Sequence, residues 1–203
     1  MSQIKLLHSG GNGVSIVAPD SNPASDRTLK LPSDADGTIA TTATAGKILQ
    51  VVQTVKRSKQ TIQSQTLTDI TGLSVTITPS SSSNKILINY SVMIYGGSGG
   101  AYYTVRIVRG SDNTIFIGDE NSSATNQSRG TFGHLLSSYA RAESVNINFL
   151  DSPNTTSATT YKLQGHTPYS SSYSIGINSS PLNDNYSYMT NGVSSITAME
   201  VAA

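Results

Sequence analysis

The chain has 203 residues, 36% hydrophobic and only 12% charged, with 13 Lys plus Arg against 12 Asp plus Glu and no cysteine. That size suits one or two small domains, and a formal net charge of +1 supplies no basic field to draw in phosphates, so nucleic acid is not an expected partner. Without cysteine there are no disulfides, no thiol chemistry and no Cys-based metal site, and with 56 Ser plus Thr the polarity is hydroxyl rather than ionic.

In chain order, residues 1–40 hold three short apolar pieces: Ile4 to Leu7, Val14 to Val17 and Leu29 to Leu31. Gly10-Gly11-Asn12-Gly13 separates the first two, and Pro19, Pro23 and Pro32 interrupt the rest of the segment. Asn12-Gly13 suits a tight hairpin turn because both residues accept positive φ. The start, MSQIKLLHSG, lacks the apolar core of a secretory signal, and no apolar run is long enough to span a bilayer, so neither Sec export nor membrane insertion is expected. So few apolar residues cannot enclose a dry interior in one copy. Residues 1–45 are therefore read as an intertwined assembly segment in which Ile4, Leu6, Val14, Ile16, Leu29 and Leu31 bury against other copies, in a closed ring of two or three chains. TTATAG at 41–46 marks the boundary with a second domain, 46–203.

A chain this rich in Ser and Thr is compatible with disorder, but its periodicity is not. KILINYSVMIY at 85–95 puts Ile86, Ile88, Tyr90, Val92 and Ile94 on one face of a strand. The same period of two recurs at Tyr103, Val105 and Ile107; at Ile115 and Ile117; at Val145, Ile147 and Phe149; at Tyr161 and Leu163; and at Ile175 and Ile177. Turn clusters separate these runs: PSSSSN at 79–84, GGSGG at 96–100, GSDN at 110–113, residues 119–131, SPNTTS at 152–157 and PLNDN at 181–185. The fold class is all-β: a short N-terminal β-hairpin segment followed by a β-sandwich of jelly-roll type. Only residues 133–143, with Leu135, Leu136, Tyr139 and Ala140, offer an alternative helical spacing. The final ITAMEVAA reads as a paired strand.

Particular phrases carry a family resemblance. GGNGVSIVAPDSNPASDRTLKLPSDADGTIATT (10–42) resembles a short unit of the tail fibres and related virion proteins of tailed bacteriophages, notably those infecting marine cyanobacteria. GKILQVVQTV (46–55), ITGLSVTITPSSSSNKILI (70–88), FLDSPNTTSATTYKLQ (149–164) and SSITAMEVAA (194–203) look like the β-rich C-terminal domain of the same fibre-like proteins. The resemblance implies a homotrimer in the virion, mounted on other tail or baseplate proteins through residues 1–45, with the C-terminal domain turned toward a host-surface glycan or lipopolysaccharide. It leaves open a head-mounted or capsid-decorating fibre without receptor binding, and a glycan-degrading tailspike. Synthesis in the host cytoplasm and release by lysis would need neither signal sequence nor disulfides. Relatives with long shafts differ from this chain, in which one N-terminal unit leads almost directly into the β-domain.

The residues offer little for catalysis, and no enzyme activity is expected. Asp119-Glu120 is the one adjacent acidic pair in the β-domain, whereas glycoside hydrolysis needs two facing carboxylates. His8, His134 and His166 have no G-x-S-x-G elbow to work with and no metal-ligand spacing, so no cofactor and no metal are expected; loop carboxylates such as Asp112, Asp119 and Glu120 are the candidates for a loop-held ion. The six Asn-x-Ser/Thr matches, at Asn89, Asn121, Asn126, Asn154, Asn178 and Asn185, follow from composition alone. GGSGG lacks a following helix to bind phosphate and reads as a flexible tip, and Lys56-Arg57-Ser58-Lys59 reads as a hydrated hairpin end. Ten Tyr against three Phe and no Trp is the informative balance. Tyr169, Tyr173, Tyr186 and Tyr188, with Asn183 and Asn185, are the candidate receptor contacts, since a ring face stacks on sugar C–H groups while amides and hydroxyls bond sugar hydroxyls. The loops 96–101, 119–131, 165–173 and 179–191 are assigned to the outward face.

Overall fold

The structure, a computed structural model, describes residues 3–7, 10–11, 13–17, 47–97, 101–110, 113–115, 118, 128–136, 142–180 and 190–203. The chain divides into two compact units, Met1–Ala45 and Gly46–Ala203, each described by itself.

In the first unit β1 (Gln3–Leu7) and β2 (Gly13–Val17) form an antiparallel hairpin. Its register sets Ile4 opposite Ile16 and Leu6 opposite Val14, so β-branched and apolar positions face one another across the ladder. That pairing corrects the expected turn. Gly13 lies inside β2 opposite Leu7 and so is a strand residue, Asn12 lies outside the described residues, and Gly11, at φ 90°, takes the left-handed backbone. A two-residue turn at Asn12-Gly13 would slide Ile4 and Leu6 past their apolar partners. Leu29 and Leu31 lie outside the described residues.

The second unit is a sandwich of two antiparallel sheets, and no helix occurs among its described residues. The first sheet runs β3 (Ile48–Lys56), β13 (Ser194–Val201), β6 (Lys85–Gly96), β10 (Ala142–Asp151). Two short strands, β4 (Gln60–Ile62) and β12 (Ile175–Ile177), continue the lines of β3 and β13 along β6. The second sheet runs β5 (Thr68–Ile77), β11 (Thr159–His166), β7 (Ala101–Arg109), with β8 (Asn113–Ile115) and β9 (Phe132–Leu136) sharing the far edge of β7. Strands that follow one another mostly cross between sheets, which is jelly-roll order. The helical alternative over 133–143 is overturned at β9, where residues 132–136 pair with β7 and bury Leu136 in the core.

The period of two in the sequence is what fills this core. Ile86, Ile88, Tyr90, Val92 and Ile94 of β6 meet Tyr103, Val105 and Ile107 of β7, Tyr161 and Leu163 of β11, and Val145 and Ile147 of β10 in one cluster. Burying a single such side chain stabilises the fold by about 1.5–3 kcal/mol.

Polar staples close the ends of the sandwich. Glu200, 2% exposed, accepts bonds from the Ser80 backbone N–H (2.6 Å) and hydroxyl (2.7 Å) and from Asn84 Nδ2 (2.7 Å), tying the C-terminal strand to the β5–β6 loop. Burial alone would raise its pKa, but the bonds from Asn84 and Ser80 outweigh burial and hold it below the ordinary value. Asn178, with φ 66°, donates to the carbonyls of Lys56 (2.8 Å) and Ser58 (3.2 Å) and accepts from the Ser194 hydroxyl, locking the joint between β12 and β13. Its burial excludes it as a glycan acceptor.

Lys56 corrects the hydrated reading of the basic run at its first member. β5 is bulged at Gly72 (φ 80°), and the Thr71 carbonyl freed there accepts from Lys56 Nζ at 2.7 Å. The lysine is 4% exposed, and burial lowers its pKa. Gly97 is likewise no free tip: its N–H donates to the Ser174 carbonyl at 2.9 Å, and a Cβ there would lie 2.4 Å from Ser174 Oγ.

Candidate functional site

An open trough of about 890 Å³ lies on the head over β7, β9 and the segments 128–131 and 168–169. Strand alternation on β7 creates one wall. Tyr103 points inward, 2% exposed, so Tyr102 points outward, 46% exposed, opposite Leu135 of β9. Glycine makes the floor possible: a Cβ on Gly130 would lie 2.2 Å from Thr104 Cγ2, and one on Gly133 would lie 2.8 Å from the Tyr103 carbonyl oxygen. Only glycine lets residues 130–133 lie so close to β7.

The other wall is the loop 167–174, held in place by bonds to the β4–β5 connection. The Thr167 N–H donates to the Ser64 carbonyl (2.8 Å), Gln63 Nε2 to Ser171 O (2.8 Å), and Gln65 Nε2 to Pro168 O (3.4 Å). A turn closed by Tyr173 N–H to Ser170 O (3.2 Å) completes the loop. This docking brings Tyr169, 69% exposed, to the rim. Its ring lies 5.5 Å from that of Tyr102 and 5.7 Å from that of Tyr173, tilted by 47° and 48°. Three tyrosines thus form a continuous aromatic ladder from a strand to a loop.

The trough itself is lined by Thr104, Ser128, Thr131 and His134 among its polar groups, and none of its described lining residues is Asp, Glu, Lys or Arg. The described carboxylates of the head are occupied elsewhere. Asp69 accepts from Gln164 (2.6 Å) and Lys162 (2.9 Å), and the Gln164 bond leads the effects that hold its pKa low. Asp151 accepts from Arg109 (2.7 Å) and Tyr161 (2.7 Å), Glu143 from Tyr103 (3.2 Å), and Glu200 from Ser80 and Asn84. No group of three His, Asp or Glu able to hold a metal occurs among the described residues.

No protein-family model matches the chain, and no curated protein does. Among solved structures it is similar to the infectious bursal disease virus Gx strain, at 13% identity and TM-score 0.37, covering 94% of this chain and 47% of that one. It is similar also to the VP2 subviral particle of infectious bursal disease virus, at 14% identity and TM-score 0.34, covering 95% of this chain and 48% of that one. A third likeness is to the tripod from the baseplate of bacteriophage Tuc2009, at 11% identity and TM-score 0.26, covering 98% of this chain and 84% of that one. The chain spans about half the length of the first two. These are distant similarities to virion components; the jelly roll is assigned from the strand pairing of this chain.

Of the candidate contacts, Tyr169 and Tyr173 come together in the ladder. Tyr186, Tyr188, Asn183 and Asn185 lie outside the described residues, as do Asp112, Asp119 and Glu120. For the assembly residues Ile4, Leu6, Val14 and Ile16, the structure gives strand pairing only. Tyr102, His134 and Leu135 join the site although the sequence pattern did not mark them as contacts. A signal for Tyr102 was nonetheless present, since placing Tyr103 in the core obliges its neighbour on the strand to face out.

Proposed function

We propose that this protein is a homotrimeric, non-enzymatic fibre or knob of a tailed-phage particle, mounted on the tail through residues 1–45 and attaching to host-surface glycan with its head. The observation that carries the reading is the exposed Tyr102–Tyr169 pair, backed by half-buried Tyr173, at a trough with no Asp, Glu, Lys or Arg among its described lining residues. Aromatic faces stack on the C–H surface of sugars, and the hydroxyl of Ser128 at the trough is placed to exchange bonds with sugar hydroxyls. The phrases shared with phage fibres support the virion assignment, and the jelly-roll head is a rigid platform for such a site. A shallow, open site binds one sugar weakly. Three copies on one rigid body raise the effective concentration of the second and third contacts, so millimolar sites suffice for attachment.

Labelled full-length protein incubated with host cells tests this reading. Saturable binding, competed by glycan released from the same cells and unaffected by moderate salt, is the expected result. Saturation absent at every concentration, with antibody locating the protein on the capsid rather than the tail, would establish a decorating protein instead. Shortening of the polysaccharide during incubation would establish an enzyme.

A further inference from the structure

The face of the second sheet that carries the trough also carries an arginine. Alternation on β7 turns Tyr102, Thr104 and Arg106 to the same side, away from Tyr103, Val105 and Ile107 in the core. Successive residues on one face of a strand lie roughly 7 Å apart, so Arg106 stands one step beyond Thr104, which lines the trough, and about 13 Å along the strand from Tyr102. Thr131, another lining residue, is anchored on either side of it: the Thr131 N–H donates to the Val105 carbonyl (2.8 Å), and its hydroxyl accepts from the Ile107 N–H (3.1 Å). Arg106 is not itself among the lining residues. It continues the row of Tyr102 and Thr104 past them.

Its bonding differs from that of the head's ion-paired cations. Arg109 and Lys162 are each tied to a carboxylate, Asp151 at 2.7 Å and Asp69 at 2.9 Å. Arg106 has no carboxylate partner among the described residues. Its Nε donates to Gln164 Oε1 at 2.9 Å, and neither Nη bonds a described residue. Gln164, 9% exposed and opposite Arg106 in the register, is fixed in turn by its Nε2 bond to Asp69 (2.6 Å). A neutral amide therefore orients this half-buried guanidinium without cancelling its charge. Among the described residues of the strands on this face the charges are Arg106, Lys162 and Asp69, two cations against one anion, and that anion is already committed to Lys162 and Gln164. Arg129, in the segment that borders the trough, adds charge of the same sign on an exposed side chain. With Nε taken by Gln164, the Nη1–Nη2 edge of Arg106 is left to make two parallel bonds to an oxyanion, a geometry that suits carboxylate and phosphate.

We infer that Arg106 sets the charge preference of the site: the ligand is an acidic saccharide whose carboxylate or phosphate group meets the Arg106 fork while a sugar ring stacks at Tyr102 and Tyr169. This inference rests on the glycan reading above and narrows it from saccharides in general to anionic ones longer than a single sugar.

The test uses the labelled full-length chain bound to host cells, with polysaccharide released from those cells as competitor in three forms: untreated, carboxyl-reduced and dephosphorylated. A half-buried ion pair is screened little by salt, so the charge is removed chemically rather than masked. For the unsubstituted protein one treated form should compete at least roughly tenfold less well than the untreated form. Loss on carboxyl reduction identifies a uronic acid as the source of the anion, and loss on dephosphorylation a phosphate. Arg106→Gln, which removes the charge but keeps an amide donor, should bind the untreated form about as weakly as the unsubstituted protein binds the neutralised one, and should no longer tell the two apart. Arg106→Lys should recover part of the loss, because it restores the charge without the fork. The competitor series on the unsubstituted protein keeps the test decisive if circular dichroism shows a variant to be misfolded. Equal competition by all three forms, or undiminished discrimination by a folded Arg106→Gln protein, would overturn the inference and leave the tyrosine site standing. Absence of any saturable binding to the cells would overturn the glycan reading and this inference together.

Discussion

Tyr103 and Tyr161 lie between the two sheets with their hydroxyls bonded to Glu143 and Asp151, whereas Tyr169, at the rim of an open trough, sets its ring against those of Tyr102 and Tyr173. Burial, then the neighbouring carboxylate, raises the pKa of both inner phenols, so neither ionises in ordinary conditions. The inner residues complete the core and satisfy a partner; of the outer ones Tyr102 and Tyr169 are exposed, while half-buried Tyr173 packs against the core. Neighbours on one strand, Tyr102 and Tyr103, divide between the two regions because alternate side chains of a strand face opposite ways. What separates the inner from the outer tyrosines here is orientation and partner, not composition.

Substitutions sharpen that contrast, beginning with the largest effect. Tyr103→Ala should lower stability by about 3–5 kcal/mol in a urea titration, since it opens a cavity beside Phe132 and strips Glu143 of its donor. A loss below about 1 kcal/mol would mean that Tyr103 is not a core residue. Glu200→Gln should cost about 2 kcal/mol at neutral pH, because the lost carboxylate accepts from Ser80 and Asn84 in a buried site. The pH dependence follows from its lowered folded pKa. The stabilisation is present above the unfolded value, about pH 4.3, and is lost as pH falls through the lower folded value, so the unsubstituted protein loses more stability than the variant over that acid range. Parallel acid curves for the two proteins would contradict the staple.

Smaller effects separate the tyrosines from one another. Tyr161→Phe should cost about 1–1.5 kcal/mol, Asp151 keeping only Arg109. Tyr90→Phe should be neutral or mildly stabilising in the same titration, because the Tyr90 hydroxyl is buried with no hydrogen-bond partner. A measurable loss there would reveal a bond that the structure does not contain.

The alternation that makes the core was open in the sequence: every second residue of β6 from Ile86 to Ile94 is buried, as the period of two requires. The domain's C-terminal strand was legible for the same reason, although not its place between β3 and β6. Lys56 was not legible. Its burial depends on a carbonyl that a bulge around Gly72 turns toward it, and no local pattern announces a bulge in one strand as the partner of a lysine in another. The hairpin turn failed for a related reason: Asn12-Gly13 is a sound local signal, but the register that matches Ile4 to Ile16 and Leu6 to Val14 outweighs it. At the candidate site, Tyr169 stood out in a Ser-rich segment, while its contact with Tyr102 arises only because Gln63, Gln65 and Thr167 dock the loop beside β7.

The central claim, that the outer tyrosines recognise a host glycan, is tested most directly by competing phage adsorption with purified full-length protein carrying Tyr102→Ala and Tyr169→Ala. Both residues are exposed, so stability should stay within about 0.5–1 kcal/mol of the unsubstituted chain. The account predicts that the unsubstituted protein blocks adsorption, and that the double variant needs at least roughly tenfold more protein for the same block. Equal blocking by a correctly folded double variant, or no blocking by either protein, would contradict it.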